Sequence, residues 1–338
     1  MELDWKESFV TAASHLGILD SFALLRRKMS RPVVAILMYH HVCSGKEEHP
    51  DFVSPEEFRV QMEYFSREWN VLSLDELAKY VRLEKSAPEK AVVITLDDGY
   101  QDNYRYAYPI LREYRIPATV FLTTSYVGFR DVFWWDRIDY AIRHTSRMNL
   151  YLDELGAYSV RSEAKRTLAA GRINEKLKKL PEARRTLLVE KVIDICEAKA
   201  RSDLGSSPTL SWEECREMKD HGIDIASHTV SHPALTGLSL ERARYEIEES
   251  KKHIEEKLGT EVKAFSYPFG DYDTEIVALV RKSGYGCAVT SSPRNVVGCE
   301  DSVYQIGRVA PRYAFWSLGR LDAIRSIRDL RLVGSGRG

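Results

Sequence analysis

Short apolar segments typical of buried β-strands alternate along this chain with helical segments, and this alternation constrains the fold more than any other feature. Seven such strand segments lie at positions 33–38, 91–96, 118–122, 223–226, 263–267, 286–290 and 305–309. Strands that alternate with helices predict a parallel sheet covered by helices. Seven strands in one run favour a barrel over an open sheet, and neither glycine-rich nucleotide-binding loop, GxGxxG or GxxxxGK[ST], occurs.

Three further segments flank or interrupt the predicted barrel, which extends over residues 32–316. Residues 1–31 carry apolar side chains at helical spacing and then a basic run. This pattern predicts an amphipathic helix packed outside the barrel, although residues 5–28 also permit docking on a membrane surface. Residues from about 150 to 207 are rich in Lys, Arg, Glu, Ala and Leu, which predicts a helical insertion. Residues 317–338 are predicted to form a C-terminal helix or tail.

The composition excludes several classes of protein. Of 338 residues, 44% are hydrophobic and 29% charged, as in globular proteins, and the net charge of -1 gives no drive towards nucleic acid. Five cysteines without a CxxC pair argue against a disulfide framework. No signal peptide or membrane span is visible, so we expect a cytoplasmic location, extending at most to the inner membrane surface. The oligomeric state stays open.

Polar groups follow four of the predicted strands, and in a parallel barrel those strand ends meet on one face. The groups are His40 with His41, Asp97 with Asp98, His228 with His232, and Tyr267 with Pro268. Two histidines four residues apart can point to the same side. With one carboxylate they form a three-ligand metal site that leaves a position open for water. Zinc is the default ion for this donor set, which also suits iron, cobalt or nickel.

Three segments together resemble a known family. Thr95-Leu96-Asp97-Asp98-Gly99 and Ser227-His228-Thr229-Val230-Ser231-His232-Pro233 resemble the first two motifs of the NodB-type polysaccharide deacetylases, and Tyr267-Pro268-Phe269-Gly270 resembles the third. The resemblance covers roughly residues 33–312 and leaves the 150–207 insertion outside the common core. It implies a distorted (β/α)₇ barrel that removes N- or O-acetyl groups from sugars with a divalent metal.

The resemblance also implies roles for individual residues. Matched by motif, Asp98, His228 and His232 would bind the metal, and Asp97 would be the general base. The backbone N–H of Tyr100, which follows Gly99, resembles the family's donor to the oxyanion.

The chain departs from the family pattern at two functional positions. Ser266 and Tyr267 stand where many members begin the third motif with an arginine that holds the base aspartate, and Arg308 is our candidate replacement. The late Leu-x-His motif, which supplies the general acid in many members, is absent. The segment 37–40 resembles the start of members that act on poly-N-acetylglucosamine, where an N-terminal histidine serves. We therefore assign the acid role to His40, with His41 as the second candidate.

Aromatic residues after the third predicted strand are candidates for substrate binding. Trp134, Trp135 and Tyr126 could line a sugar groove, because aromatic faces pack on pyranose rings, or they could pack the insertion against the barrel. Tyr267 and Pro268 of the third motif complete the candidate substrate-binding set.

The sequence therefore predicts a metal-dependent deacetylase of an N-acetylated sugar in a polysaccharide, oligosaccharide or glycolipid precursor. Two alternatives stay open. The same scaffold could hydrolyse the C–N bond of a small amide or cyclic imide, or the chain could bind carbohydrate without turnover. The presence of Asp97 beside the predicted metal ligands speaks against the second alternative, since binding alone needs no base.

Overall fold

The computed structural model describes residues 34–43, 52–83, 87–128, 132–197, 209–292 and 303–311. The predicted terminal segments, 1–31 and 317–338, lie outside the described residues. Within these ranges no helix has the length and apolar character that crossing a membrane requires.

Seven parallel strands form a nearly closed barrel, which confirms the predicted (β/α)₇ architecture. In chain order the strands are β1 (Val34–Tyr39), β2 (His41–Val42), β3 (Phe52–Val53), β4 (Asn70–Val71), β5 (Ala91–Leu96), β6 (Ala118–Leu122), β7 (Asn149–Leu152), β8 (Gly156–Ser159), β9 (Ile223–Ser227), β10 (Ala264–Ser266), β11 (Cys287–Thr290) and β12 (Ile306–Gly307). The barrel order is β1-β5-β6-β9-β10-β11-β12. Val309, just after β12, closes it against β1: Met38 N donates to Val309 O at 3.0 Å, and Val309 N to Ile36 O at 2.9 Å.

Helices cover the outside of the barrel. They are α1 (Pro55–Glu68), α2 (Leu74–Arg82), α3 (Tyr108–Tyr114), α4 (Trp134–His144), α5 (Glu163–Leu177), α6 (Glu182–Cys196), α7 (Trp212–Asp220), α8 (Leu240–Leu258) and α9 (Thr274–Lys282). Serine side chains start several of them by accepting a first-turn N–H, as Ser73 and Ser211 do in reciprocal capping boxes with Glu76 and Glu214.

The central strands are buried on both faces, which is why they read as continuous apolar runs. All six residues of β5 are buried, between the barrel interior and the covering helices. The first charged residues of such a strand come where it ends, and for β5 these are Asp97 and Asp98.

The described part of the predicted insertion has a hydrophobic cluster of its own. α5 and α6 pack with α4 and with an antiparallel hairpin of β7 and β8 around Ile138, Leu150, Ile173 and Val189. The hairpin adds two strands to an insertion that the sequence predicted to be mostly helical. Its strands have four residues each, too few for a clear alternation of apolar and polar positions. The boundaries of the insertion stay a prediction.

Candidate metal centre and active site

A tight turn after β5 brings two neighbouring carboxylates to one site. Successive residues of a strand point to opposite faces, but Asp98 and Gly99 both have a φ of +71° and so redirect the chain. Asp97 and Asp98 are 2% and 4% exposed, and both approach His228 Nε2, with Oδ2 of Asp97 at 3.9 Å and Oδ1 of Asp98 at 3.6 Å. A left-handed backbone at a residue other than glycine is strained, and such strain concentrates at functional sites.

Asp98, His228 and His232 form a buried cluster with the donor types of a metal site. One ligand atom from each lies within 4.8 Å of the others. His232 Nε2 is 3.3 Å from Asp98 Oδ1. His228 Nδ1 lies 2.7 Å from Ser266 O, a contact that requires a proton on Nδ1 and turns Nε2 towards Asp98.

The protonation state of the histidines suits a metal ligand. Burial lowers the pKa of His228 to about 4 and lowers the pKa of His232 well below its ordinary value. Both imidazoles are therefore neutral near pH 7, the form that binds metal. His232 Nδ1 is buried without a hydrogen-bond partner among the described residues. No hydrogen bond within those residues therefore competes with a ligand for this nitrogen. Two neutral imidazoles and a carboxylate fit a divalent cation.

Asp97 is held by Arg308, the arginine that the sequence offered as a replacement for the missing one. The Nη1 and Nη2 atoms of Arg308 donate to the two carboxylate oxygens at 2.7 and 2.6 Å. Arg308 is 1% exposed and also donates to Thr95 Oγ1 and Ser266 Oγ. Burial alone would raise the pKa of Asp97, but the Arg308 guanidinium outweighs burial and holds that pKa well below its usual range. Asp97 is therefore an anion at neutral pH.

The two candidate acid histidines lie in different surroundings. His41 Nδ1 is 2.6 Å from Asp102 Oδ2. Its ring stacks on Phe52 and also packs, tilted by 34°, against Tyr100. The His40 side chain is half-buried and interacts electrostatically with Asp97, His228 and His232. It makes no hydrogen bond within the part of the chain that the structure describes. The two imidazoles therefore differ in that Asp102 occupies Nδ1 of His41, whereas neither nitrogen of His40 has a hydrogen-bond partner among the described residues.

Asp102 and Asn103 support this pair of histidines, and the sequence reasoning missed both. Asn103 Nδ2 donates to the backbone oxygen of His40 at 2.8 Å and to Asp102 Oδ1 at 2.9 Å. Asp102 directly precedes a π-helical turn (Asn103–Ala107), and Asn103 is the first residue of that turn. Their position just after the β5 turn was the signal that could have identified them.

The predicted aromatic residues separate into two groups. Trp135 lies at the site: its ring is 4.6 Å from the His232 ring, and its Nε1 donates to Tyr100 Oη at 2.9 Å. Tyr126 and Trp135 both stack on the Phe133 ring, with centroids 4.2 and 4.5 Å from its own. The three rings form one contiguous aromatic cluster.

Trp134 and Tyr267 face elsewhere. Trp134 packs with the insertion cluster, and the Arg185 guanidinium lies 5.3 Å from its ring. Tyr267 is 1% exposed and its hydroxyl donates to Tyr304 O at 2.9 Å, so its side chain is not placed where a sugar could touch it. Pro268 is buried next to Phe269. The Phe269 ring, which was not among the predicted site residues, packs nearly perpendicular to the His232 ring, with the centroids 4.6 Å apart.

Gly99 is required by both its backbone angle and its surroundings. A Cβ at Gly99 would lie 2.6 Å from Leu122 Cδ2, whereas one at Gly284, with a φ of +79°, would meet nothing within 4 Å. We expect Gly284→Ala to cost about 1–2 kcal/mol of stability from left-handed strain and Gly99→Ala about 1–3 kcal/mol more from overpacking. Urea unfolding of the two variants measures the difference. Equal midpoints would contradict the predicted collision.

Comparison with known proteins relates the chain to one family. The family model for polysaccharide deacetylases matches residues 84–288. A putative polysaccharide deacetylase of Bacillus subtilis, YxkH, is 25% identical over 284 residues, which cover 83% of this chain and 73% of that protein. The poly-beta-1,6-N-acetyl-D-glucosamine N-deacetylase of Staphylococcus epidermidis is 31% identical over 132 residues, which cover 35% of this chain and 45% of that protein.

Solved structures share the fold. The Streptococcus pyogenes deacetylase PplD, in complex with acetate, superposes with a TM-score of 0.56 at 20% identity, covering 83% of this chain and 93% of that one. IcaB from Ammonifex degensii superposes with a TM-score of 0.55 at 18% identity, covering 85% and 96%. At these low sequence identities the superpositions show a shared fold, the barrel architecture, and no more.

Proposed function

We propose that this chain, which belongs to the polysaccharide deacetylase family, hydrolyses the N-acetyl group of an N-acetylated sugar in a polysaccharide, oligosaccharide or glycolipid precursor. One observation carries the proposal: a buried Asp98, His228 and His232 donor set lies beside an aspartate, Asp97, that Arg308 keeps ionised. The names of the Staphylococcus epidermidis and Bacillus subtilis relatives support it.

Asp98, His228 and His232 would hold a divalent cation, zinc by default and cobalt, nickel or iron as alternatives. When bound, such a cation supplies Lewis acidity, which acidifies water and polarises the acetyl carbonyl. The neutral imidazoles and the buried carboxylate bring a net charge of about one negative unit, which complements a dication.

The remaining steps fall to side chains and backbone of this chain. Asp97 would accept the proton of the water that attacks the acetyl carbonyl, and Arg308 would keep its two oxygens in place. The N–H of Tyr100 would donate to the oxyanion that forms. His40 would give a proton to the departing sugar amine, so that acetate and a free amine leave together. Trp135 and Tyr126 would pack against the sugar rings.

The test is release of acetate from N-acetylglucosamine oligosaccharides before and after removal of metal. Treatment with a chelator is expected to lower release to background, and added Zn²⁺ or Co²⁺ to restore it, because the ligand set is intact without the ion. A His232→Ala variant serves as the control that added metal does not restore.

Two results would contradict the proposal. Protein freed of metal could release acetate at the untreated rate, or the metal-loaded protein could bind these oligosaccharides without releasing acetate. Release of ammonia or other products from small amides, with no acetate from sugars, would favour the alternative hydrolase instead.

A further inference from the structure

The loop between the two metal-ligand histidines is held in a strained conformation. Thr229 has a φ of +70° and His232 a φ of +58°, both in the left-handed region that side chains other than glycine rarely adopt. A β-branched residue such as Thr229 is especially unfavourable there. Such a conformation persists only when its surroundings impose it.

One side of the loop is fixed by the chain that follows β6. Thr124 N donates to Thr229 O at 3.1 Å and Ser125 N donates to Val230 O at 2.9 Å. These two hydrogen bonds use the carbonyl oxygens of Thr229 and Val230, so the amides of the loop must donate to other acceptors. The amide of His232 finds one within the loop, at Thr229 Oγ1, 3.0 Å away.

The amide of Thr229 donates to Ser227 Oγ at 3.4 Å, and the two remaining loop amides converge on one carboxylate, that of Glu246 in α8. Val230 N and Ser231 N donate to Glu246 Oε2 at 2.9 and 2.8 Å. Ser231 Oγ and Arg242 Nη2 donate to Oε1, each at 2.8 Å. The Glu246 side chain is 0% exposed, while its cationic partner Arg242 is 44% exposed.

Burial of an ionised carboxylate is costly unless hydrogen bonds replace its hydration. Three of the four donors to Glu246 belong to the histidine loop, and two of them are backbone amides. Donors of the loop thus replace the water that would otherwise solvate the Glu246 carboxylate. In return, the position of this carboxylate fixes the backbone between His228 and His232. Helix α8 carries it on the same buried face as Ala243, Ile247 and Ser250.

We propose that Glu246 is a positioning residue of the metal centre, which holds the loop 229–232 in the strained form that aims both imidazoles at one cation. The inference rests on the proposed function in one respect, namely that His228 and His232 bind a divalent metal. It assigns Glu246 no contact with metal or substrate. Supporting groups of this kind typically change metal affinity by about 10–100-fold.

Metal affinity of the full chain tests the proposal without reliance on activity. The dissociation constant for Zn²⁺ is measured by competition with a chromophoric chelator, and the visible spectrum of the Co²⁺-loaded protein reports the coordination. Glu246→Ala is expected to raise the dissociation constant about 10–100-fold and to change the Co²⁺ spectrum. Glu246→Gln is expected to bind within a few-fold of the original, because the amide oxygen can still accept from both loop amides.

Two further variants distinguish the position of the Glu246 carboxylate from its charge and from the apolar packing of α8. Glu246→Asp keeps the carboxylate but shortens the side chain by one methylene group, and is expected to weaken metal binding as Glu246→Ala does. If the alanine variant does not fold, Glu246→Asp tests the proposal in its place. Ile247→Ala removes apolar packing from the same helix and is expected to lower stability with the metal affinity unchanged.

The outcomes distinguish this inference from the proposed function. If the original chain binds neither Zn²⁺ nor Co²⁺ at one equivalent, the metal site itself fails. If it binds, and Glu246→Ala or Glu246→Asp binds equally well with the same Co²⁺ spectrum, the positioning role is overturned while the proposed function stands.

Discussion

Arg308→Met is expected to lower the free energy of unfolding by about 3–5 kcal/mol, because it leaves the buried carboxylate of Asp97 without its counterion. Arg308 makes two short hydrogen bonds to Asp97 and is 1% exposed, so water cannot replace it. The same variant is expected to reduce acetate release strongly, since Asp97 would no longer be held as an ionised base. Urea unfolding and an acetate assay measure the two effects.

A double variant tests whether the loss of stability in Arg308→Met comes from the unpaired Asp97 charge and not from loss of the arginine alone. Asp97→Asn combined with Arg308→Met replaces both charges, and is expected to be more stable than Arg308→Met because no unpaired charge stays buried. It is expected to stay inactive. If the double variant were instead destabilised by the sum of the two single effects, Asp97 and Arg308 would not act as a pair.

His40→Ala is expected to lower kcat by about 10²–10⁴-fold, the range for loss of a general acid, with the metal affinity unchanged. We expect this loss because His40 directly follows β1 and interacts electrostatically with Asp97, His228 and His232. Its imidazole makes no hydrogen bond with another described residue. The measurement is acetate release under saturating substrate, together with the dissociation constant for Zn²⁺.

His41→Ala is the matched comparison for His40→Ala. His41 contacts Asp102 and packs against the rings of Phe52 and Tyr100, so its loss is expected to lower stability rather than to remove the proton donor. If His41→Ala abolished turnover at unchanged stability and His40→Ala did not, the acid role would belong to His41. Near-normal turnover in both variants would place the acid elsewhere.

The barrel was predictable because its signal is local. The inner strands are largely continuous apolar runs, as the six buried residues of β5 illustrate. From β1 to β11, helices separate the successive barrel strands, and several of these helices have recognisable start signals, such as the capping box of α2. The hairpin β7–β8 was not predictable in this way. Its strands are short and lie outside the barrel, where half-exposed positions blur the pattern.

The candidate metal cluster was also largely visible in the sequence. Asp98, His228 and His232 follow strand ends that a parallel barrel brings to one face, and the structure brings them together within 4.8 Å. The roles assigned to these residues stay predictions. Tyr267 shows the limit of the approach, because the third motif marks the strand end correctly while its tyrosine side chain turns into the core.

The role proposed for Glu246 could not be derived from the pattern of charged residues along α8. Residues 240–258 read as a long charged helix, and most of its acids lie on the solvated face. Glu246 lies on the buried stripe with Ile247, and that placement was the available signal. Which backbone would meet it could not be derived, since the loop amides are satisfied only after α8 packs beside β9.

The amino-acid sequence by itself determined the order of the barrel strands, the barrel and the residue types at its strand ends, because these follow from local periodicity and residue chemistry. The tertiary structure decided which distant groups support them. Arg308 reaches Asp97 across 211 positions, Asp102 holds His41 across 61, and Glu246 binds Ser231 across 15. These contacts depend on barrel closure and on the direction of individual side chains, which packing sets and local sequence does not.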